Sequence, residues 1–402
     1  MLRVSINRQL INWLTSFPFT VILGGMASSK QKVSRRDFLK LAGIGVGVLS
    51  VHNLTRNIES RPFNNPIDFL EFPQADRLGR NCTADTNLSG GRIEIKTRPD
   101  VNSEKVRDVF RDEVFPWIKE VSTDNIDYNL PNQRWVETPE GYIHSLYMQP
   151  CRNLPNDPLV SLPDGKGFWA EVTVPYVDLV MDNAAPVSGW MRDHVTYQLQ
   201  PRLYFSQIMW IDQVRTGNSG RILYHVNERY GNPGDLFWAE GAAFRPLTME
   251  EISPINPEVD PAIKKVVVNL TYQTLTCKEG DREIYFCRVS TGMQEGSTPV
   301  GEFAIWRKLL SVRMAANTVA SSYDLPGISW TTLFVGDGVA IHGATSHNDF
   351  GTVRSHGCVN CKPEDAKWVF RWTQPEVGLD TGEKTWNDWK SGSTHIIVEN
   401  SF

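Results

Sequence analysis

The sequence has few cysteines, no excess of one charge and no apolar run long enough for an ordinary membrane span, and the first two absences exclude classes of protein. Its 402 residues include only six cysteines, too few and too widely spaced for a disulfide framework. Forty-one basic against 46 acidic side chains give a net charge of -5, which offers no electrostatic footprint for nucleic acid. The apolar fraction of 41% is typical of a globular protein, and the length allows two or three domains.

The N-terminal region has the pattern of an export signal. Arg35 and Arg36 lead into the apolar, glycine-containing residues 41–51, so a charged region precedes a short hydrophobic one. Together with Ser34, Phe38, Leu39 and Lys40, the pair resembles a twin-arginine signal. The resemblance implies a bacterial or archaeal protein that is exported folded and acts in the cell envelope. We assign residues 1–52 to this signal, because the glycines disfavour the alternative of a buried helix.

The sequence leaves undetermined where the signal starts and whether it is cleaved. An apolar patch over residues 10–25 precedes Met26, and a start at Met26 instead of Met1 gives the signal a more ordinary length. No small-x-small cleavage site follows Val51, so the segment can persist as a membrane anchor, although it is short for a full span.

Composition then predicts a linker followed by a small β-rich domain. Residues 53–88 are polar, lack periodicity and contain three prolines, so we expect order to begin near Gly91. Residues 89–152 contain short strand patterns and resemble a bacterial SH3-like domain through Thr97-Arg98-Pro99, Trp135 and Gly141-Tyr142-Ile143. The resemblance implies cell-wall binding or a spacer role. The alternative is that Trp117, Trp135 and Tyr142 are core aromatics.

Residues 165–250 contain similar short strand patterns. Their β-rich segments, split by glycine and proline, predict a second all-β module that is SH3-like or similar. We interpret His194 and His225 in this region as structural, because neither has a nucleophile or metal ligand nearby in sequence.

A third β-rich domain is predicted over residues 263–399, after a proline-rich joint at 248–257. Two β-rich segments flank Glu279-Gly280-Asp281, which indicates a hairpin. From Pro363 onward, a proline in the first turn, acidic residues after it and apolar residues three and four apart predict a helix.

The strongest chemical signal is Cys358, which follows a histidine and a glycine directly in the chain. His356 is two residues before it, and His342 is in the preceding Ile341-His342-Gly343 segment. A soft nucleophile, a base and a loose backbone are the parts of a thiol acyl-transfer site. The approach to the predicted helix N-terminus favours a thiolate, and the N–H groups of Gly357 and Cys358 can bind an oxyanion.

Other interpretations of these residues are weaker. A zinc site built from His342, His347, His356, Cys358 and Cys361 is disfavoured by the irregular spacing. A purely structural Cys358 leaves the surrounding glycine and histidines unexplained. A disulfide between Cys358 and Cys361 would silence the site under oxidation, but a packing role for Cys361 is the preferred interpretation.

The combined pattern resembles the L,D-transpeptidase (YkuD-like) catalytic domain. His342-Gly343 and residues 355–360, which read Ser-His-Gly-Cys-Val-Asn, carry the resemblance, and Gln273, residues 290–292 and residues 298–303 fit it. It covers residues 263–399. It implies a mainly β protein whose catalytic β-sandwich has a short helix after the nucleophile and is preceded by one or two small SH3-like β-barrels.

The resemblance also implies residue roles. Cys358 is the nucleophile and His342 the general base, oriented by the backbone carbonyl of Gly343. The remaining site residues divide into those that shape the pocket or the oxyanion site, His356, Ser355 and Gly357, and those that contact substrate, Asn360, Trp330, Tyr323 and His347. For Trp330, a place in the core is the alternative. No metal or organic cofactor is implied.

The activity implied is the crosslinking of peptidoglycan stem peptides through a thioester on Cys358. Water in place of the acceptor amine makes the same site an L,D-carboxypeptidase, and the sequence leaves both open. A wall-binding protein with a silent catalytic domain is a further alternative, and the intact His342 and Cys358 argue against it.

Overall fold

The computed structural model describes residues 71–83, 92–123, 125–126, 132–317, 322–336, 338–386 and 392–400. The predicted signal over residues 1–52 and most of the predicted linker lie outside this part of the chain. Within it, no helix combines the length and apolar character that crossing a membrane requires.

The first module is a pair of antiparallel sheets. Its strands are β1 (Leu78–Asn81), β2 (Ile93–Lys96), β3 (Lys105–Val109), β4 (Val114–Pro116), β5 (Lys119–Ser122), β6 (Arg134–Thr138), β7 (Gly141–His144) and β8 (Met148–Cys151). They are ordered β4-β1-β8 and β3-β2-β7-β6-β5. Trp117 and Trp135 are buried, so these aromatics have the structural role that was the alternative to a binding groove. The SH3-like assignment itself stays a prediction.

Strand β1 corrects the predicted start of order. It lies inside the segment expected to be a linker, and it is the central strand of its sheet. Its sequence Leu-Gly-Arg-Asn carries no apolar alternation, yet all four residues are buried. Arg80 is only 2% exposed because its guanidinium is bound by Asp112 at 2.6 Å and by the Gln149 amide oxygen at 2.6 and 2.9 Å. Partners distant in sequence therefore make this polar segment a core strand.

The second module combines a six-stranded sheet with a two-stranded one. Its elements are β9 (Phe168–Val172), β10 (Tyr176–Asp178), β11 (Val180–Met181), α1 (Gly189–Tyr197), β12 (Arg202–Tyr204), β13 (Ile208–Thr216), β14 (Ile222–Asn227), β15 (Phe237–Glu240), β16 (Phe244–Pro246) and α2 (Met249–Ile252). The sheets are ordered β11-β15-β14-β13-β9-β16 and β10-β12. Helix α1 was not expected in an all-β module. The Ser188 hydroxyl, which accepts from the Met191 N–H, caps it.

The third domain is a β-sandwich. Its elements are β17 (Lys264–Asn269), β18 (Thr274–Glu279), β19 (Arg282–Arg288), β20 (Gly301–Ala304), β21 (Arg307–Asn317), β22 (Ser322–Leu333), β23 (Ala340–Gly343), β24 (Val359–Cys361), α3 (Pro363–Trp372), β25 (Glu383–Thr385) and β26 (His395–Glu399). Its sheets are ordered β19-β18-β17-β26-β20 and β24-β23-β22-β21-β25. The predicted mainly β fold and the predicted helix after Cys358 are both confirmed.

Both upstream modules hold segments of the third domain in place. From the first module, Arg80 donates to the Thr345 carbonyl at 2.9 Å, and the Ser145 carbonyl accepts from the Asn348 amide at 3.2 Å. From the second module, Gln207 donates to the Pro326 carbonyl at 2.6 Å. The first two contacts fix the loop after β23, and the third fixes strand β22.

Candidate active site

Strands β23 and β24 bring His342 and Cys358 to one face of their sheet. The two strands are parallel, with His342 opposite Asn360, and Cys358 immediately precedes β24. Because side chains alternate along a strand, Cys358 and Asn360 project to one face, whereas Val359 and Cys361 project into the core. Cys358, Asn360 and His342 accordingly line one cleft of about 380 Å³.

Hydrogen bonds around Ser355 fix the turn that presents the thiol. The Ser355 hydroxyl donates to the Cys358 carbonyl at 2.5 Å and accepts from the Gly357 N–H at 3.0 Å. The Thr298 hydroxyl donates to the Gly357 carbonyl at 2.7 Å. These bonds hold the N–H and carbonyl groups of the turn, so the role of Ser355 is to fix the shape of the turn.

This turn corrects the predicted oxyanion site. The sequence predicted that the N–H groups of Gly357 and Cys358 bind the oxyanion together. In the structure the Gly357 N–H is engaged by the Ser355 hydroxyl, so it stabilises the turn. The N–H of Cys358 is left as the candidate donor of the pair.

Replacing Gly357 by alanine should destabilise this turn. A Cβ at Gly357 would lie 2.7 Å from the backbone carbonyl oxygen of Ser297, and backbone cannot move aside as a flexible side chain can. We expect a loss of about 1–3 kcal/mol of folding free energy, measured by urea denaturation, together with weaker acylation of Cys358. Gly336→Ala is the matched control, because no atom lies within 4 Å of its Cβ position. Equal stability of the two variants would contradict the packing described.

His342 is buried and has one defined hydrogen bond. Its Nδ1 lies 3.0 Å from the carbonyl oxygen of Gly343, the contact that the family resemblance implied for the base. Burial lowers the pKa of His342, and the Gly343 carbonyl opposes this shift only in part. The imidazole is therefore neutral at pH 7. With the Nδ1 proton donated to the carbonyl, Nε2 has the lone pair that can accept a proton.

Cys358 differs from its expected state. The sequence favoured a thiolate, but burial raises the pKa of Cys358 to about 11, and a backbone hydrogen bond from Ala340 lowers it only in part. Helix α3 begins at Pro363, so strand β24 separates the thiol from the helix N-terminus. A helix dipole acts only within about the first turn. Cys358 is therefore a thiol in the resting protein and requires a base for attack.

The pH dependence of acylation should have an acidic limb set by His342. Neutral His342 is the proton acceptor, and its pKa lies below the ordinary value of about 6.5. The acylation rate should therefore be level near pH 7 and fall as the pH drops through that lowered pKa. Stopped-flow acylation from pH 4 to 9 measures this. A rate that keeps rising steeply between pH 7 and 9 would indicate direct ionisation of the thiol without His342.

Tyr323 and His356 form one wall of the cleft. The exposed His356 ring stacks on Tyr323 with centroids 5.1 Å apart and planes at 23°. Burial, and next the proximity of Cys358, raise the pKa of Tyr323. Both rings thus border the thiol and line the cleft, where the sequence placed them.

His347 and Asn360 lie together at another part of the cleft. The Asn360 amide is 3.0 Å from Nε2 of His347. Burial lowers the pKa of His347 to about 4, so this ring is neutral at pH 7. The pair offers hydrogen-bonding groups to a substrate without adding charge.

Trp330 does not line the cleft. It is 1% exposed and lies in the core of the third domain, edge-on to Phe370 with centroids 5.4 Å apart and with the Lys367 ammonium 5.1 Å from its ring. Its expected contact with substrate is therefore corrected to a packing role under helix α3.

The structure also shows where the other cysteines lie. All six are free thiols. Cys361 is buried and shares the core with Cys277 and Cys287, on the sheet face opposite Cys358. This arrangement separates the two thiols that a silencing disulfide would have to join. Within the described residues, no group of three or more His, Cys, Asp or Glu side chains is placed to hold a metal ion.

Sequence reasoning missed the part of the cleft that comes from the upstream modules. Seven side chains from these modules line the same cleft as Cys358: Arg80, Cys82, Arg111, Trp190, Arg202, Tyr204 and Gln207. They lie far from Cys358 in sequence, and no local pattern marks them.

Comparison with known proteins identifies the third domain. Residues 263–391 match the YkuD family, L,D-transpeptidase catalytic domain. A search of curated protein sequences gives no match.

Solved structures similar to this chain include L,D-transpeptidases from three bacteria. One from Enterococcus faecium is 20% identical, with 34% of this chain and 49% of that chain covered and a TM-score of 0.27. One from Mycobacterium smegmatis is 17% identical, with 54% and 88% covered and a TM-score of 0.27. One from Mycobacterium tuberculosis H37Rv is 16% identical, with 57% and 92% covered and a TM-score of 0.26. The chain thus spans about half the length of the Enterococcus faecium protein. From the family match, residues 263–391 are an L,D-transpeptidase catalytic domain of the YkuD family.

Proposed function

We propose that this chain is an L,D-transpeptidase that forms peptidoglycan crosslinks through a thioester on Cys358. The observation that carries the proposal is the placement of Cys358 and His342 on one face of β23 and β24, in one cleft, with Nδ1 of His342 held by the Gly343 carbonyl. The match of residues 263–391 to the family agrees with this assignment.

The first half-reaction makes the acyl-enzyme. Nε2 of His342 takes the thiol proton as Sγ of Cys358 attacks the carbonyl between an L-centre and the terminal D-residue of a stem peptide. The Cys358 N–H is the candidate donor to the oxyanion. As the C–N bond breaks, His342 returns its proton to the departing amine. A thioester and a free D-amino acid result.

The second half-reaction resolves the thioester. The amine of a diamino residue on a neighbouring stem attacks the thioester carbonyl and loses a proton to His342. The C–S bond then breaks, the proton returns to sulfur, and the new amide is the crosslink. Water attacking in place of the amine gives the trimmed acid, which is L,D-carboxypeptidase activity.

Incubation with isolated muropeptides tests this function. Wild-type protein should produce crosslinked dimers that have lost one D-amino acid, as resolved by liquid chromatography and mass spectrometry, and Cys358→Ala should produce none. Trimmed monomers alone would replace the proposal with an L,D-carboxypeptidase. Unchanged muropeptides with wild-type protein would contradict both activities and favour a wall-binding protein with a silent domain.

We also propose that the chain acts outside the cytoplasm. The support is the twin-arginine pattern at Arg35 and Arg36 and the location of crosslinked peptidoglycan in the cell envelope. Wall attachment through the first module and anchoring through residues 41–51 belong to the same proposal. Fractionation of expressing cells should recover the full chain in the envelope, and recovery in the cytoplasm alone would contradict export.

A further inference from the structure

An aromatic side chain of the second module lines the cleft that contains Cys358. Trp190 is the second residue of helix α1, and its side chain is partly exposed in this cleft. It lies outside residues 263–391, so the family match assigns it no role. Helix α1 packs against strand β22 of the third domain. The place of Trp190 in the cleft is therefore a consequence of how the modules of this chain pack together.

Hydrogen bonds fix the backbone of Trp190 beside the third domain. The Trp190 N–H donates to one carboxylate oxygen of Asp324 on strand β22 at 2.9 Å. The other oxygen of Asp324 binds the buried Arg313 at 2.6 and 2.7 Å. Arg313 also binds Glu228 of the second module at 3.0 Å. Because Tyr323 precedes Asp324 and borders the thiol, this network places Trp190 next to the cleft wall formed by Tyr323.

Packing within the second module orients the indole ring of Trp190. The His194 ring lies 4.2 Å from it between centroids, with the planes at 47°, and Phe237 meets it edge-on at 5.9 Å. His194 is itself fixed, because its Nδ1 lies 2.8 Å from the Trp190 carbonyl oxygen. The indole N–H has no hydrogen-bond partner within the part of the chain that the structure describes. A ring oriented before binding loses little conformational entropy when a ligand arrives.

Apolar side chains of the third domain line the same cleft. Met314 of strand β21 and Leu325, Pro326 and Ile328 of strand β22 belong to this lining. Leu325 is 39% exposed although it is apolar. Trp190 adds a flat apolar surface and a free N–H donor. A ligand that fits these groups has a flat apolar face together with hydrogen-bond acceptors at its edge.

We propose that Trp190 stacks on a sugar ring of the glycan to which the stem peptide is attached. The proposal rests on the proposed function, because it concerns the substrate of the same cleft. A pyranose ring has an apolar face of C–H groups, which packs on the indole, and edge oxygens that accept a hydrogen bond from the indole N–H. Aliphatic and charged side chains of a peptide offer no such ring. The second module therefore selects stems attached to glycan over free peptides.

Two substrates that differ only in the sugar test the assignment. One is a disaccharide-stem peptide, and the other is the same peptide with a lactyl group on its N-terminus in place of the sugars, so that their charges match. Wild-type protein should release the D-amino acid from the first with a kcat/KM about tenfold higher, because stacking buries apolar surface of both rings. In Trp190→Leu the two substrates should react at similar rates. Trp190→Phe should retain part of the preference, since it keeps a flat ring and loses the N–H.

Tyr197→Leu is the matched control, because it removes an exposed aromatic ring of the same helix that is not among the side chains lining the cleft. It should keep the wild-type preference. Thermal melting checks that every variant is folded, and if Trp190→Leu is not, an unchanged ratio in Trp190→Phe counts against the site. Wild-type protein that treats both substrates alike, or a folded Trp190→Leu that keeps the wild-type ratio, would overturn the sugar site. Wild-type protein that releases no D-amino acid from either substrate would instead overturn the proposed function.

Discussion

Replacing Cys358 by alanine should abolish covalent labelling of the protein by a carbapenem. In wild-type protein the thiol should open the β-lactam ring and form a thioester, giving one adduct per chain. The other five cysteines are buried in the structure, whereas Cys358 is partly exposed in the cleft. Loss of the nucleophile leaves no sulfur to acylate, so the rate should fall by at least about 10³-fold.

Intact-protein mass spectrometry after incubation with the carbapenem measures this effect. Cys151→Ala is the control, because it removes a buried thiol outside the cleft and should leave the adduct unchanged. No adduct on wild-type protein, or an undiminished adduct on Cys358→Ala, would refute the nucleophile assignment.

Replacing His342 by alanine should give the second largest effect. Because the pKa of Cys358 is about 11, only about one thiol in 10⁴ is ionised at pH 7 without a base. His342 relieves this deficit by accepting the proton during attack. Its removal should slow acylation by about 10²–10⁴-fold at pH 7. The residual rate of the variant should rise with pH up to about 11, since hydroxide then ionises the thiol directly.

His356→Ala separates the two histidines. His356 is exposed and stacks on Tyr323, so its loss should weaken the cleft wall and leave the acidic limb of the pH profile in place. Stopped-flow acylation of both variants across pH 4 to 11 makes the comparison. A near-wild-type rate for His342→Ala together with a collapsed rate for His356→Ala would assign the base to His356.

The sequence allowed the third domain to be predicted in detail because its signals are local. The hairpin at Gly280-Asp281 and the helix from Pro363 depend on turn and capping residues that are adjacent in the chain, and the structure has both. The short motifs at His342 and Cys358 likewise indicated which residues share a cleft. Parallel pairing of β23 with β24 joins these motifs in space.

The structural features that the sequence did not predict depend on contacts between residues distant in the chain. Strand β1 is polar, and only pairing of Arg80 with Asp112 and Gln149 makes its burial favourable. Trp330 was assigned to the cleft by analogy, yet its environment is set by helix α3 across the core. The arginines of the upstream modules reach the cleft through domain packing, which no local pattern encodes.

The protonation state of Cys358 was also predicted wrongly from the sequence. Proximity in sequence to a helix start suggested a thiolate, but strand β24 and Lys362 separate the thiol from the helix, and the surrounding protein removes part of its solvent. Desolvation of the charged form therefore outweighs the helix dipole. This result makes His342 necessary as the base for the attack of Cys358, a step for which a preformed thiolate would need no base.

Trapping the acyl-enzyme with a stem peptide tests the central claim most directly. Wild-type protein mixed with a stem peptide in the absence of an acceptor amine is quenched in acid, digested and analysed by mass spectrometry. The expected result is a mass increase equal to the peptide minus the free D-amino acid that it releases, located on the fragment that contains Cys358. An increase on another residue, or turnover of the peptide with Cys358 replaced by alanine, would contradict it.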